Sequence, residues 1–339
     1  MSVCYLYQAQ TCLFTALENL FDGERAAYER LRAEVKLRPP RVSGWGDLST
    51  NAAMLLKSGK YISFEAAAET IMDALRALPG MGEVTLAESG YINLTYAPRF
   101  WEREANRVLI EKTGFGLEGI IGKKIAPERA AEVNDLFSAR IEANAEGLFS
   151  LARLAGWEVA EKAAILKEPS GFPLHSAIGK CGLEKTRFAL IANPPAFMTA
   201  FSPILAIDRS YDNPVFCIPF AKGRIAALLK GKEAGDSGAE ETQGALTWPE
   251  EIALARKMCD WPLAVEEALS KGDVFYLTSF LHGLSLLFFA LLDRAHPVST
   301  DYLAEPGVAC ARLKLLKSTE TLLSGGMELL QIHNLKEYE

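Results

Sequence analysis

The chain has 339 residues, a formal net charge of −7, 49 % hydrophobic residues and 23 % charged residues. That is an ordinary soluble globular composition, long enough for two or three domains with real cores. The acidity counts against a protein that holds nucleic acid by net charge alone, because neutralising phosphates takes a surplus of Lys and Arg.

The six cysteines are scattered without metal-ligand spacing, so the reading is a reducing cytoplasm, no metal and no disulfide framework. The N-terminus lacks the basic start and small-residue cleavage site of a signal peptide. Residues 1–20 predict a helix with Leu13, Ala16, Leu17 and Leu20 on one side. Pro39-Pro40 breaks the chain before a loop, G-W-G-D-L-S-T-N, at 44–51. Asp47 or Ser49 is placed to cap a helix over 52–57 that Gly59 ends. Ser63 caps a second helix that runs to Leu78 and stops at Pro79-Gly80. Two strands follow, around 83–86 and 91–96. In the second, Ile92, Leu94 and Tyr96 alternate with Tyr91, Asn93 and Thr95. One face is for a core, and the other carries a ring and an amide.

A helix is predicted over 145–155, with Leu148, Leu151, Ala152 and Ala155 as its apolar stripe. His175 and Gly179-Lys180 lack any phosphate-loop spacing, and His175 reads as a loop or core residue. At 212–229 Asn213 caps a helix, Pro214 suits its first position, and Val215, Ile218, Ala221, Ile225 and Leu228 form a buried face. Pro219 lies inside that helix and should kink it. A Gly-rich polar loop over 231–244 precedes helices starting at Trp248-Pro249, Trp261-Pro262, Phe275 and Cys310. The apolar run 279–292 is too short to span a bilayer and contains His282, so it reads as a buried helix and not as a membrane segment.

Several of these stretches resemble arginyl-tRNA synthetases. G-D-L-S-T-N-A-A-M at 46–54 and G-Y-I-N-L at 90–94 resemble that family's N-terminal add-on domain, which contacts the outer corner of tRNA. N-P-V-F at 213–216, F-A-K-G-R-I at 220–225 and C-A-R-L-K-L-L at 310–316 resemble its anticodon-binding domain, named DALR. The resemblance implies tRNA as partner, arginine tRNA among the candidates, with Tyr91, Asn93, Lys222, Arg224 and Arg312 as contacts. Asp47 and Asn51 as loop-shaping residues, and Asn93 as a solvated strand position, stay open as structural alternatives.

The middle departs from the family. Counting back from the Gly-aromatic-Glu-Val turn at 156–159, the ATP-binding His-x-Gly-His signature falls on D-L-F-S, with Asp135 and Ser138 in place of both histidines. Asp135 would repel ATP phosphates. Only the span 160–211 separates Val159 from the next domain, too short for a doubly wound sheet of βαβ units. The family's C-terminal Gly-Ile turn and Ala-Pro-Glu-x-Met end are also replaced.

The expected fold class is α+β: a small α/β N-terminal domain over 1–120, a catalytic-domain remnant or connector over 121–211, and an all-α bundle of the DALR type over 212–339. The expectation is a non-enzyme without cofactor, and two rival functions fit it. One is a tRNA-binding adaptor that presents tRNA to a modifying enzyme. The other is a protein-interaction module that has lost RNA, favoured by 12 Lys/Arg against 17 Asp/Glu from Asn213 onward. A residual arginine–tRNA ligase is the third reading.

Overall fold

A computed structural model describes residues 4–21, 24–40, 44–57, 63–120, 123–160, 162, 173–194, 201–230, 246–295, 302–305, 307–333 and 335. The chain divides into two compact units at Arg103/Glu104.

In the first unit α1 (Tyr5–Leu20) and α2 (Arg25–Glu34) lead to β1 (Leu37–Arg38) and β2 (Leu48–Thr50), then to α3 (Ala52–Leu56) and α4 (Phe64–Arg76). The hairpin β3 (Met81–Leu86) and β4 (Ile92–Tyr96) follows, and α5 (Pro98–Glu111) leaves the unit. The strands form one antiparallel sheet in the order β1-β2-β4-β3. Its inner face puts Leu48, Ile92 and Leu94 into the core with Leu13 and Leu17 of α1 and Ile71 and Leu75 of α4, all fully buried. Tyr5, Tyr96, Phe100 and Trp101 close one end in edge-to-face and stacked contacts. Ser63 caps α4 as expected, accepting from the Ala66 amide at 3.4 Å.

The predicted loop over 44–51 contains β2, and neither Asp47 nor Ser49 caps α3. Asp47 ties the segment to β4: its carboxylate accepts from the Tyr96 amide at 2.7 Å. Its own amide donates to the Leu94 carbonyl at 2.7 Å. Thr50 Oγ1 accepts from the Ala52 amide instead, at 3.2 Å. Gly46 lies at φ +85°, and a Cβ there would meet the Leu94 carbonyl oxygen at 2.5 Å, so the close approach of the two segments needs glycine. Gly59 lies outside the described residues.

The second unit opens with β5 (Lys124–Ile125), α6 (Leu136–Leu154) and β6 (Glu158–Val159). The two short strands pair in parallel, so this is a βαβ unit reduced to its minimum. Its helix carries the expected stripe, with Leu148, Leu151, Ala152 and Ala155 buried. Next come α7 (Leu174–Cys181), α8 (Leu183–Ala192) and the single turn α9 (Pro203–Ala206). His175 is on α7 and exposed.

The bundle proper is α10 (Pro214–Leu229), α11 (Pro249–Cys259), α12 (Trp261–Lys271), α13 (Phe275–Ala295) and α14 (Ala309–Leu329). Asn213 caps α10, accepting from the Val215 amide at 3.1 Å, and the helix continues through Pro219. Its face buries Val215, Ile218, Ala221 and Ile225, while Leu228 stays half-buried. By length and composition α13 is long and apolar enough to cross a membrane. Here it packs against α8, α10, α11, α12 and α14 and buries Leu277, Phe280, Leu281, Leu284 and Phe288. The expected loop over 231–244 lies outside the described residues.

Candidate nucleic-acid interface and the altered signature

The outer face of the first unit's sheet is built by register. Arg38 pairs with Ser49, Ser49 with Asn93 and Asn93 with Thr85, so the four side chains form one row across the four strands. Tyr91 stands two residues before Asn93, at the mouth of the β3–β4 turn. Gly90 makes that turn at φ +86°, against Met54. The Ser49 hydroxyl donates to Asn93 Oδ1 at 2.8 Å. That bond fixes the amide and leaves its Nδ2 as the outward group, a hydrogen-bond donor.

Arg38 is exposed and has no carboxylate partner among the described residues. The same holds for Arg25, Arg30, Arg32 and Lys36 on α2 and after it. Between Arg25 and Lys60 the sequence has eight Lys/Arg and three Asp/Glu. The acidic net charge therefore conceals a basic segment, which includes Lys57; Arg41 and Lys60 lie outside the described residues. A ring, a fixed amide donor and guanidinium groups without carboxylate partners are the means by which proteins hold an unpaired base and its phosphates. Tyr91 and Asn93 are legible in the sequence. Arg38 is not, because a two-residue strand has no periodicity to reveal its face.

In the second unit Asp135 and Ser138 form a reciprocal cap on α6. Asp135 Oδ1 accepts from the Ser138 amide at 2.7 Å, and Ser138 Oγ accepts from the Asp135 amide at 3.1 Å. The positive end of the helix is thus already occupied by a carboxylate. A nucleotide phosphate arriving there would meet like charge. One turn on, Arg140 is buried and pairs with Asp273, Nη2 to Oδ2 at 2.8 Å. Asn144 donates to the Gly272 carbonyl at 2.9 Å and accepts from the Val274 amide at 2.8 Å. The start of α6 is therefore bracketed to the turn between α12 and α13.

The three basic residues expected on the bundle separate. Arg224 is exposed and Lys222 half-buried; two apart on a helix, they diverge. Arg312 is buried, at 2 % exposure. Its Nε donates to Glu251 at 2.6 Å and its Nη1 to Glu305 at 2.5 Å and to the Tyr302 carbonyl at 3.0 Å. The guanidinium also lies 4.6 Å from the Trp248 ring centroid and 4.4 Å from that of Tyr302. Burial lowers the Arg312 pKa, but the hydrogen bonds to Glu251 and Glu305 outweigh it and the net shift is upward. Burial, and then the Glu251 carboxylate, push the Tyr302 phenol far above its ordinary range. An arginine so enclosed holds the helices together and presents no charge to a phosphate, which corrects the expectation of an RNA contact. Among the described residues no group of His, Cys, Asp and Glu is arranged to hold a metal ion.

Residues 8–96 match the family described as "Arginyl tRNA synthetase N terminal domain", and residues 220–337 the "DALR anticodon binding domain". The arginine–tRNA ligase of Ruegeria pomeroyi is 25 % identical over 188 residues, covering 52 % of this chain and 32 % of that one. That of Psychrobacter sp. is 29 % identical over 190 residues, covering 52 % and 31 %. The chain spans about a third of the length of the curated relatives it matches. Among solved structures, the arginyl-tRNA synthetase of Thermus thermophilus superposes with a TM-score of 0.64 at 13 % identity, covering 97 % of this chain and 99 % of that one. The Plasmodium falciparum enzyme superposes at 0.61 and 10 % identity, covering 99 % of each. At such identities the likeness is one of fold. The fold and the two matched domains define an arginyl-tRNA synthetase-like protein. Its particular form is a match to that family's N-terminal domain and to its DALR bundle, joined through residues 97–219, and the fold is α+β as expected.

Proposed function

We propose that this protein binds tRNA without charging it and serves as an adaptor that presents tRNA to a modifying enzyme. The observation that carries the reading is the use of Asp135 and Ser138 as a helix cap at the positions of the ATP signature, in a chain that keeps both matched domains. Tyr91, Asn93 and Arg38 form the contact surface in the first unit. Lys222 and Arg224 are the contacts in the second. The three-part division at 120 and 211 separates the RNA-facing ends from the connector. Six cysteines outside any disulfide support a reducing cytoplasm. No cofactor is needed for this role.

The test has two arms. Arginine-dependent ATP–pyrophosphate exchange should stay at background. Total tRNA should be retained on a filter by the wild-type chain and released by Tyr91→Ala/Asn93→Ala at unchanged melting temperature. Exchange above background that changes at Asp135 or Arg140 would establish a ligase instead. The acidic bundle favours a second reading, a protein-interaction module that has lost RNA; absence of tRNA binding at low salt would select it.

A further inference from the structure

The single turn α9 and the segment joining it to α10 are held in place, yet they turn large apolar side chains outward. Ile204 is 76 % exposed, Leu205 55 %, Ile207 41 % and Tyr211 45 %. The segment is pinned from beneath. The Asn213 side-chain amide donates to the Asp208 carbonyl at 2.7 Å. The Tyr211 carbonyl meets His282 Nε2 at 2.7 Å, and the Tyr211 ring stacks on Phe289 with centroids 4.3 Å apart. Cys181 Sγ reaches the Pro203 carbonyl at 3.4 Å. Contiguous apolar exposure on a fixed support marks an interaction surface.

Beside it opens a cavity of about 200 Å³, lined among others by Asn193, Phe201, Ser202, Leu205, Asp208 and Asp212. Asp208 accepts from the Ser210 hydroxyl at 2.5 Å. Neither Asp208 nor Asp212 has a cationic partner among the described residues. The surface thus offers apolar contact with carboxylates at its edge.

We propose that residues 203–214 dock a cationic, amphipathic segment of a partner protein, apolar side chains on Ile204 and Leu205 and a Lys or Arg between Asp208 and Asp212. Charge complementarity selects this occupant: neither carboxylate is in an ion pair among the described residues, the chain is net acidic, and the one cation of the segment, Arg209, is already engaged in an interaction of its own. RNA is disfavoured by the same carboxylates. The proposal names the partner chemistry of the adaptor reading and rests on it only in making the occupant a protein. The tRNA arm is tested separately at Tyr91 and Asn93.

The experiment pans a random twelve-residue peptide library against the full chain and follows one recovered peptide by fluorescence anisotropy and amide hydrogen exchange. The expected peptides combine two or more apolar residues with Lys or Arg within four positions. Exchange should slow over 203–214. Affinity should fall at least tenfold in Ile204→Asp/Leu205→Asp and several-fold in Asp208→Asn/Asp212→Asn, both with wild-type melting temperature. The two variant pairs alter different chemistry, so one misfolded pair leaves the other decisive. Failure to enrich peptides, enrichment of acidic ones, wild-type affinity in a folded variant pair, or protection elsewhere would overturn the proposal. So would self-association of the wild-type chain abolished by the apolar pair, which would make a second copy the occupant. Loss of tRNA binding in these variants would likewise assign the surface to RNA.

Discussion

Replacing Arg312 by Met distinguishes a structural arginine from an RNA-reading one. The substitution keeps apolar volume between Trp248 and Tyr302 but leaves Glu251, at 0 % exposure, without its counter-charge. Removing one partner of a buried pair costs about 3–5 kcal/mol. Glu305 adds little, since its side chain is 57 % exposed. In a domain of this size each kcal/mol moves the melting temperature by about 2–4 °C, so a fall of about 10 °C is expected. Arg312→Met/Glu251→Gln should recover much of it, because the stranded charge is gone while an amide oxygen remains for the Thr247 and Trp248 amides, from which Glu251 accepts at 3.1 Å each. The assay is thermal and urea unfolding of the full chain, with tRNA affinity measured on the same samples. A variant that melts like wild type but binds tRNA tenfold more weakly would refute the structural role.

Asp135→His/Ser138→His should create no ATP–pyrophosphate exchange and should cost about 1 kcal/mol of stability from the lost cap; measurable exchange would show that only the signature was missing. Lys36→Ala/Arg38→Ala should flatten the dependence of log K on log salt by about 0.7 for each phosphate no longer neutralised, and an unchanged slope in filter binding would remove this segment from the interface. Burial, then the Asp212 carboxylate, push the Cys217 thiol up to about 12. Cys217 should therefore resist alkylation at pH 8 while exposed Cys310 reacts. Between the ordinary thiol pKa and that value the unfolded chain releases a proton that the native one keeps, so stability falls as pH rises; Cys217→Ala should reduce that alkaline slope, read by unfolding at pH 8 and pH 11.

The elements most legible in the sequence are those whose apolar residues repeat over several turns, such as α1, α4 and α10, or alternate through a whole strand, as in β4. Three kinds of feature are not. Helix α2 buries only Tyr28 and is otherwise polar, so it has no stripe to read. Strands β1 and β2 span two and three residues, too few for alternation. Arg312 looks like a surface cation in isolation because Glu251, its partner, is 61 positions away. At the altered signature the substituted residues are plain in the sequence but their present task is easily passed over: the spacing Asp-x-x-Ser is itself a capping pattern.

The bracket between α6 and the α12–α13 turn bears on where this chain can be divided. A fragment beginning at Asp212 would keep Asp273 and lose Arg140, and would expose the Gly272 carbonyl and Val274 amide that Asn144 satisfies. The connector is thus a buttress of the bundle, and the bundle inherits part of its solidity from the same helix whose first turn is sealed by its own carboxylate.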